Sequence, residues 1–342
     1  MKLSFKPETI TKNLLLELTE RSRSVLERRY GLLNKGVERM TLEAIGQVYG
    51  ITRERVRQIE NTSLEQIRKS KVYEKSQSSL KELEDAMVKY GGVVHEDEFL
   101  KNLSSSIGTQ NHINFLLVIG EPFVKLKEDD HFHHRWTVDE ELADQVHMAL
   151  HNLYKNLSEE ELVSEGEMIL RFMDHLKETV TQSVNEEVAR RWLSISKHIK
   201  KNPLGDWGLA HSHNIKTRGM RDMAYLVIKK AARPLHFTEV AQAITKDFNR
   251  RAHIATTHNE LIKDARFVLV GRGLYALSEW GYSSGVVRDV IKKILKQHGP
   301  LNKDEIVKKV REQRHVKDNT IYVNLQNNSH FKKDSKGRYL LV

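Results

Sequence analysis

The stretch TLEAIGQVYGITRERVRQIE, residues 41–60, decides the fold of the N-terminal part of this chain. It opens with a threonine that can cap a helix, and Leu42, Ile45 and Val48 then recur at helical spacing, which predicts one apolar face. Gly50 follows where the chain must turn, a position that often needs a positive φ. The first half of the stretch therefore predicts a short helix that ends in a tight turn.

A second helix begins directly after this turn. Thr52 can cap it, and Val56, Ile59 and Leu64 form its apolar side. Two short helices joined by a turn of this length are typical of a helix-turn-helix. The first turns of the second helix carry Arg53, Glu54, Arg55, Arg57 and Gln58. Arginine can read guanine, glutamine can read adenine, glutamate can accept from cytosine, and further arginines can hold phosphates, so this helix is predicted to lie on DNA.

The same stretch, with LTERSRSVLERRYGL (residues 18–32) before it, resembles region 4 of primary bacterial sigma factors, and the resemblance ends near Lys71. It implies a helical scaffold followed by a helix-turn-helix that reads the promoter −35 element. Position by position, it implies base reading by Arg53, Glu54 and Gln58. Arg55 and Arg57 match residues close to the DNA backbone, where we also expect Thr52.

The chain departs from the family after Glu60. A basic helix end that touches phosphates and activators is usual there, whereas this chain has NTSLEQ (residues 61–66) and then Arg68 and Lys69. We therefore expect weaker intrinsic DNA affinity than a full sigma factor has.

Charge is distributed unevenly along the 342 residues. Residues 1–75 hold 16 Lys and Arg against 10 Asp and Glu, residues 76–200 hold 13 against 23, and residues 201–342 hold 27 against 13. Phosphate contacts are therefore expected at the two basic ends, and the acidic middle is better suited to protein contacts or spacing.

Several classes of function are excluded or unsupported. The absence of cysteine excludes disulfides, thiolate catalysis and cysteine-bound zinc. No apolar run is long enough to span a membrane and no signal-peptide core is present, which favours a cytoplasmic protein. The phosphate-binding, dinucleotide-binding and nucleophile motifs of enzymes are missing, so we expect neither an enzyme nor a cofactor. His131, His133 and His134, and separately His211 and His213, could bind a metal by type, but we interpret them as surface histidines.

Beyond residue 75 one pattern recurs four times. An apolar residue, three variable positions, a glutamate and a second apolar residue open each predicted helix. The glutamates lie at 98, 167, 239 and 305, in steps of 69, 72 and 66 residues, after Val94, Val163, Leu235 and Leu301. A sustained period of this kind indicates an array of one supersecondary unit.

Each repeat also ends alike, with an apolar residue, a polar loop, an aromatic residue and a short apolar strand. The aromatic residues are Trp136, Trp207, Tyr275 and Tyr339, which we interpret as hairpin core residues. Helices followed by a hairpin predict winged helices. The expected fold is mainly α with short β-hairpins: a helix-turn-helix domain (1–75), then tandem winged-helix units at 76–140, 145–212, 218–282 and 284–342.

The third unit resembles the HARE-HTH family through RPLHFTEVAQAI from Arg233 and FVLVGRGLYAL from Phe267. That family includes winged helices of chromatin factors and restriction systems and one in the delta subunit of bacterial RNA polymerase. The resemblance implies a module that binds DNA or associates with polymerase.

Basic residues of the third and fourth units are the expected backbone contacts. They precede the predicted recognition helix or lie in the hairpins: Arg250, Arg251, Arg272, Lys332, Lys333 and Lys336.

Together these features predict a sequence-specific regulator of transcription or an RNA polymerase accessory protein, with double-stranded DNA and RNA polymerase as partners. Only 17 residues precede Leu18, so no promoter-melting domain is expected. Two alternatives remain open: a polymerase-bound interaction module that modulates transcription without reading DNA, and a sensor of modified or foreign DNA. The sequence leaves the oligomeric state, the target site and the sign of regulation open.

Overall fold

The computed structural model describes residues 3–33, 38–180, 184–282, 286–314, 316–327 and 329–342. Within these ranges the chain is mainly helical, with short strands that pair antiparallel. This agrees with the predicted fold class. Contacts divide the chain into two compact units: unit 1 is Met1–Glu159 with Val163–Lys200, and unit 2 is Glu160–Leu162 with Lys201–Val342. The predicted start of the last winged helix, residue 284, lies outside the described residues.

Five helices form the N-terminal head of unit 1. They are α1 (Pro7–Leu15), α2 (Glu20–Tyr30), α3 (Leu42–Tyr49), α4 (Arg53–Arg68) and α5 (Lys71–Lys75). The Thr19 side chain caps α2 by accepting a hydrogen bond from the backbone N–H of Ser22, and Gly31 ends that helix in the left-handed conformation. The predicted helix-turn-helix, α3 and α4, is confirmed.

The rest of unit 1 adds a three-stranded sheet and further helices. In chain order they are α6 (Gln77–Tyr90), β1 (Val93–His95), α7 (Glu96–Leu103), α8 (Ile107–Ile119), β2 (Val124–Leu126), β3 (Arg135–Thr137), α9 (Glu140–Lys155), α10 (Glu165–Thr179) and α11 (Glu186–Leu193). The strand order is β1-β3-β2, so Trp136 on the central strand lies opposite both Val94 and Lys125.

The head and the helices that follow it share one hydrophobic core. A single cluster of buried side chains runs from Leu14 to Trp136 along the chain. At its centre the rings of Tyr30 and Phe115 meet edge to face, with 5.2 Å between their centroids. The nearly continuous apolar run at the end of α8 is buried by this packing because the head covers it.

The remaining chain repeats the order of helices and hairpin. The elements are β4 (Ile199–Lys201), β5 (Trp207–Leu209), α12 (Met220–Ala231), β6 (Leu235–His236), α13 (Phe237–Phe248), α14 (Ile254–Lys263), β7 (Phe267–Leu269), β8 (Leu274–Leu277), a 3₁₀ helix (Ser278–Trp280), α15 (Val287–His298), α16 (Lys303–Gln313), α17 (Asp318–Leu325), β9 (Phe331–Lys333) and β10 (Tyr339–Leu341). Strands β6, β8 and β7 form one sheet in that order, β9 pairs with β10, and β4 with β5.

The four repeated glutamates occupy one structural position. Glu98, Glu167, Glu239 and Glu305 are each the third residue of a helix, and the backbone N–H of Glu98, Glu167 and Glu305 donates to the capping side chain. In α13 and α16 the glutamate carboxylate also accepts from the N–H of the capping residue, at 2.8 Å in both. The repeated sequence pattern thus corresponds to the start of a helix after an extended capping residue.

The predicted hairpins are present at all four places. Each predicted aromatic residue lies on the second strand of its hairpin. Trp136, Trp207 and Tyr275 are buried and Tyr339 is half-buried, which confirms them as core residues. The division into one head and four winged helices stays a prediction. No helix within the described ranges has the length and apolar character needed to cross a membrane.

Candidate nucleic-acid interface

Two threonine caps and one glycine shape the turn between α3 and α4. Thr41 Oγ1 accepts from the N–H of Ala44 at 3.1 Å, and Thr52 Oγ1 accepts from the N–H of Arg55 at 3.2 Å. Gly50 lies between them with φ 64° and ψ 34°, the left-handed conformation that glycine adopts at low cost. The caps and the turn that the sequence predicts are all formed.

A second glycine brings the helices close together. A Cβ on Gly46 would lie 2.6 Å from the carbonyl oxygen of Ile51, closer than van der Waals contact permits. Beneath the turn Val25, Ile45 and Val56 form a fully buried cluster. The prediction that Val48 belongs to the apolar face is wrong: Val48 is 52% exposed, because Tyr49 and Ile51 fill that side of the cluster.

The N-terminal half of α4 presents its charged side chains to solvent, and two pairs form among them. Arg57 donates to both carboxylate oxygens of Glu54, at 2.9 and 2.7 Å, and Arg55 donates to Gln58 Oε1 at 3.0 Å. The hydrogen bond from Arg57 lowers the pKa of Glu54, which keeps that carboxylate ionised. Arg53 is exposed in the first turn. Base contacts by Glu54 or Gln58 would therefore have to replace hydrogen bonds within the helix.

The C-terminal half of α4 is docked on the rest of the head. Glu60 is buried, and its Oε1 accepts from Tyr30 Oη at 2.7 Å and lies 3.4 Å from Arg29 Nε. Burial, and then the charge and hydrogen bond of Glu60, raise the pKa of Tyr30 far above its ordinary value. Tyr30 thus stays protonated and donates, which fixes the orientation of α4 on α2.

Arg68 at the end of α4 binds protein backbone. Its Nε donates to the carbonyl of Ile119 at 3.0 Å and its Nη2 to the carbonyl of Val118 at 2.9 Å. Tyr73 Oη donates to the same Ile119 carbonyl at 3.3 Å. These carbonyls end α8, so Arg68 and Tyr73 satisfy groups that the helix itself leaves unpaired. This contact gives the basic residue after Glu60 a structural role.

Sequence reasoning did not find the roles of Tyr30, Glu60 and Arg68. Tyr30 is 30 residues from its partner in sequence, and Arg68 is about 50 residues from the carbonyls that it caps. Periodicity reports which face of a helix is buried and carries no information about partners so distant.

The predicted backbone contacts of unit 2 are all exposed. Arg250 and Arg251 lie between α13 and α14, and Arg272 lies in the turn between β7 and β8. Lys332 and Lys333 are on β9 and Lys336 is in the turn after it. Lys333 Nζ lies 4.9 Å from the centre of the Tyr339 ring. Exposure is what a phosphate contact requires, and their role in DNA binding stays a prediction.

The histidines of unit 1 form pairs. His131 Nδ1 lies 2.9 Å from His198 Nε2, and the rings of His95 and His133 are in edge contact. Among the described residues, no group of three or more histidine, aspartate or glutamate side chains has the arrangement of a metal site.

The region that contains this interface resembles a known family. Residues 14–69 match the family Sigma-70, region 4. In RNA polymerase sigma factors this region is a DNA-binding helix-turn-helix that reads the −35 element. The family is not enzymatic, and its members bind DNA and RNA polymerase.

Individual relatives are sigma factors. RNA polymerase sigma factor SigA of Nostoc sp. is 44% identical over 69 residues, which cover 18% of this chain and 17% of the relative. RNA polymerase sigma factor RpoD of Helicobacter pylori is 45% identical over 56 residues, or 16% of this chain and 8% of the relative. The chain thus spans less than a fifth of the length of these relatives.

Proposed function

We propose that this protein is a sequence-specific DNA-binding regulator of transcription, or an accessory protein of RNA polymerase, which reads a −35-like element with α4. One observation carries the proposal: the region 4-like segment keeps its helix-turn-helix geometry and exposes its first charged turns to solvent. A helix N-terminus in this setting typically enters the major groove.

Within the proposal Arg53, Glu54 and Gln58 read base edges. Arginine suits guanine, glutamine suits adenine and glutamate suits the amino group of cytosine. Thr52, Arg55 and Arg57 then hold the phosphates on either side. Arg55 and Arg57 each exchange an intrahelical partner for a phosphate, which releases Gln58 and Glu54 for the bases.

The basic residues of unit 2 extend the contact. We propose that the repeated helix and hairpin modules are winged helices, the third of the HARE-HTH type, and that Arg250, Arg251 and Arg272 grip backbone phosphates. Lys332, Lys333 and Lys336 do the same from the last hairpin. One short recognition helix reads few base pairs, each contributing about 1–3 kcal/mol. A linked second binding module raises affinity without new base contacts.

The test is selection of bound DNA from a randomised duplex pool by the full chain. We expect a motif close to TTGACA, and we expect Arg53→Ala/Gln58→Ala to lose it. A matched control is Arg190→Ala/Gln77→Ala, which removes the same residue types from exposed positions on α11 and α6. Salt-sensitive binding without any motif would contradict base reading.

A second candidate is a polymerase-bound interaction module that does not read DNA. Two observations favour it: Glu54 and Gln58 are paired within α4, and Arg68 caps α8. Both observations reduce the number of side chains that are available to contact DNA. Copurification with RNA polymerase from nuclease-treated extract, unchanged in Arg53→Ala/Gln58→Ala, would support this candidate.

A further inference from the structure

Unit 1 contains a cleft of about 500 Å³ that is separate from the exposed face of α4. Four cationic side chains line it: Arg29 from α2, Arg39 from the connection to α3, Lys125 from β2, and Lys127 just after that strand. Residues far apart in sequence thus converge on one concave surface, which we call the basic cleft.

Two carboxylates partly balance these four cations. Glu60 lies 3.4 Å from Arg29, while Glu96 lies 2.5 Å from Lys125 Nζ and 3.5 Å from Arg39. Burial would raise the pKa of Glu96, but the hydrogen bonds from Lys125 and Trp136 and the nearby charges lower it below its ordinary value. Glu96 is therefore ionised at neutral pH. Four cations against these two carboxylates leave an excess of two positive charges.

The basic cleft also contains a buried hydrogen-bond acceptor without a partner. Asn114 lines the cleft and is only 3% exposed, and its Oδ1 has no hydrogen-bond partner. An unsatisfied buried acceptor costs about 1–3 kcal/mol, and native proteins seldom leave one. A ligand with an N–H or O–H group would satisfy it.

The remaining walls are apolar, formed by Val118 and Phe123 among others. Three of the four cations are recessed: the side chains of Arg29, Arg39 and Lys125 are 35%, 33% and 32% exposed, against 54% for Arg57 on α4. A small ligand reaches recessed groups more readily than the backbone of a duplex does. The volume is that of a typical small-molecule site.

We propose that the basic cleft binds a nucleoside phosphate. A terminal phosphate monoester carries close to two negative charges and matches the excess charge of the cleft. The base supplies N–H donors for Asn114 and an apolar face for Val118 and Phe123. This site acts independently of DNA reading by α4, so either proposal can fail without the other.

The test is isothermal titration calorimetry of the full chain with adenosine and guanosine monophosphates. Adenosine, inorganic phosphate and a single-stranded oligonucleotide without terminal phosphates serve as comparison ligands. We expect at least one monophosphate to bind, adenosine to bind undetectably, and Lys127→Glu to weaken binding at least tenfold. Lys101→Glu changes the charge equally at an exposed site on α7 and should have no effect.

A second variant separates ligand binding from stability. Asn114→Leu removes the unpaired oxygen at nearly constant volume, so the Tm of the ligand-free chain should stay the same or rise while affinity falls. Three results would overturn the proposal: no monophosphate binds at millimolar concentration, Lys127→Glu binds as well as wild type, or the oligonucleotide binds more tightly than the monophosphates. Inorganic phosphate binding as tightly as a monophosphate would reject the nucleoside.

Discussion

Two helix pairs in this protein, α3–α4 in the head and α13–α14 in unit 2, are joined by similar turns that use different residues. In each, the first helix is followed by one residue in the left-handed conformation, Gly50 with φ 64° and Asn249 with φ 47°. Asparagine tolerates this conformation better than most residues with a Cβ, whereas glycine adopts it freely. The connection is three residues long in the head and five in unit 2.

The pairs differ in where their charges lie. In the head the cations occupy the second helix itself, at Arg53, Arg55 and Arg57. In unit 2 they precede it, at Arg250 and Arg251, and the exposed face of α14 carries Ile254 and Ile262, which are 49% and 62% exposed. Side chains on a recognition helix can reach base edges, while cations at its approach reach phosphates. The comparison teaches that two similar helix pairs in one chain place their cations differently, on the second helix in the head and before it in unit 2.

The largest expected effect tests the tight turn of the head. Gly46→Ala places a Cβ 2.6 Å from the Ile51 carbonyl, so we expect the head to lose about 3 kcal/mol of stability, measured by urea denaturation. Helix α13 contains no glycine, so the α13–α14 pair has no equivalent close contact. Gly166→Ala on α10, where no neighbouring atom lies within 4 Å, is the control and should be neutral or stabilising. Equal stability of both variants would show that the turn is not tight.

As the pH falls, unit 1 should lose stability before unit 2 does. Burial, and then the charge of Arg135, lower the pKa of His147 to about 4, below its ordinary value of 6.5. The folded state therefore favours neutral His147. The resulting stability is present above pH 6.5 and is lost as the pH falls towards 4, by about 2 kcal/mol. In unit 2 the hydrogen bonds from Arg266 lower the pKa of Asp264 below 3.8, so its contribution is lost only at lower pH.

Denaturation followed between pH 7 and pH 4 checks this order. We expect the transition of unit 1 to shift first, and His147→Gln to remove most of the shift. A shift of equal size in the variant would contradict the assignment to His147.

A smaller effect separates the two halves of α4. Arg68→Ala removes two of the hydrogen bonds to the last carbonyls of α8, so we expect a loss of about 1 kcal/mol of stability. DNA affinity should not change, because this end of the helix is docked on protein. Lys69→Ala removes an exposed neighbouring cation and serves as the control. A fall in DNA affinity specific to Arg68→Ala would place Arg68 at the phosphates instead.

The smallest expected effect concerns the proposed contacts between unit 2 and the phosphates of DNA. Arg250→Ala/Arg251→Ala should reduce the slope of log affinity against log salt by roughly 1.8, because each lost phosphate contact contributes about 0.9. Sequence preference should be unchanged. Lys155→Ala/Lys177→Ala, on the acidic helices α9 and α10, is the matched control. A changed motif would mean that unit 2 reads bases.

Local features were predictable from the sequence because their causes are local. Thr41, Gly50 and Thr52 lie within a single turn of the groups they satisfy, and the repeated glutamates lie three residues from their caps. The hairpins follow from strand pattern and turn residues.

The unpredicted features depend on distant partners. Arg39 contacts Asn111 and Glu96, which lie 72 and 57 residues away, and no periodicity encodes that convergence. Val48 shows that helical spacing can also mislead at short range. It is apolar and lies at helical spacing, yet it is exposed, because the neighbouring Tyr49 packs against the buried cluster instead. The basic cleft could not be predicted for the same reason, because the chain segments that line it are far apart in the sequence.

Because the head and α8 share a core, the head cannot be separated from α8 as a fragment that folds on its own. Leu26, Leu64 and Ile67 are buried in the same cluster as Phe115 and Leu116. A fragment that ends at Lys75 would expose this surface to water, so it should aggregate or remain partly unfolded. Slow amide hydrogen exchange should therefore be shared by α2, α4 and α8, whose side chains form this core. The head is in this sense not a transplantable module, and a chimera would have to carry the chain at least through β3.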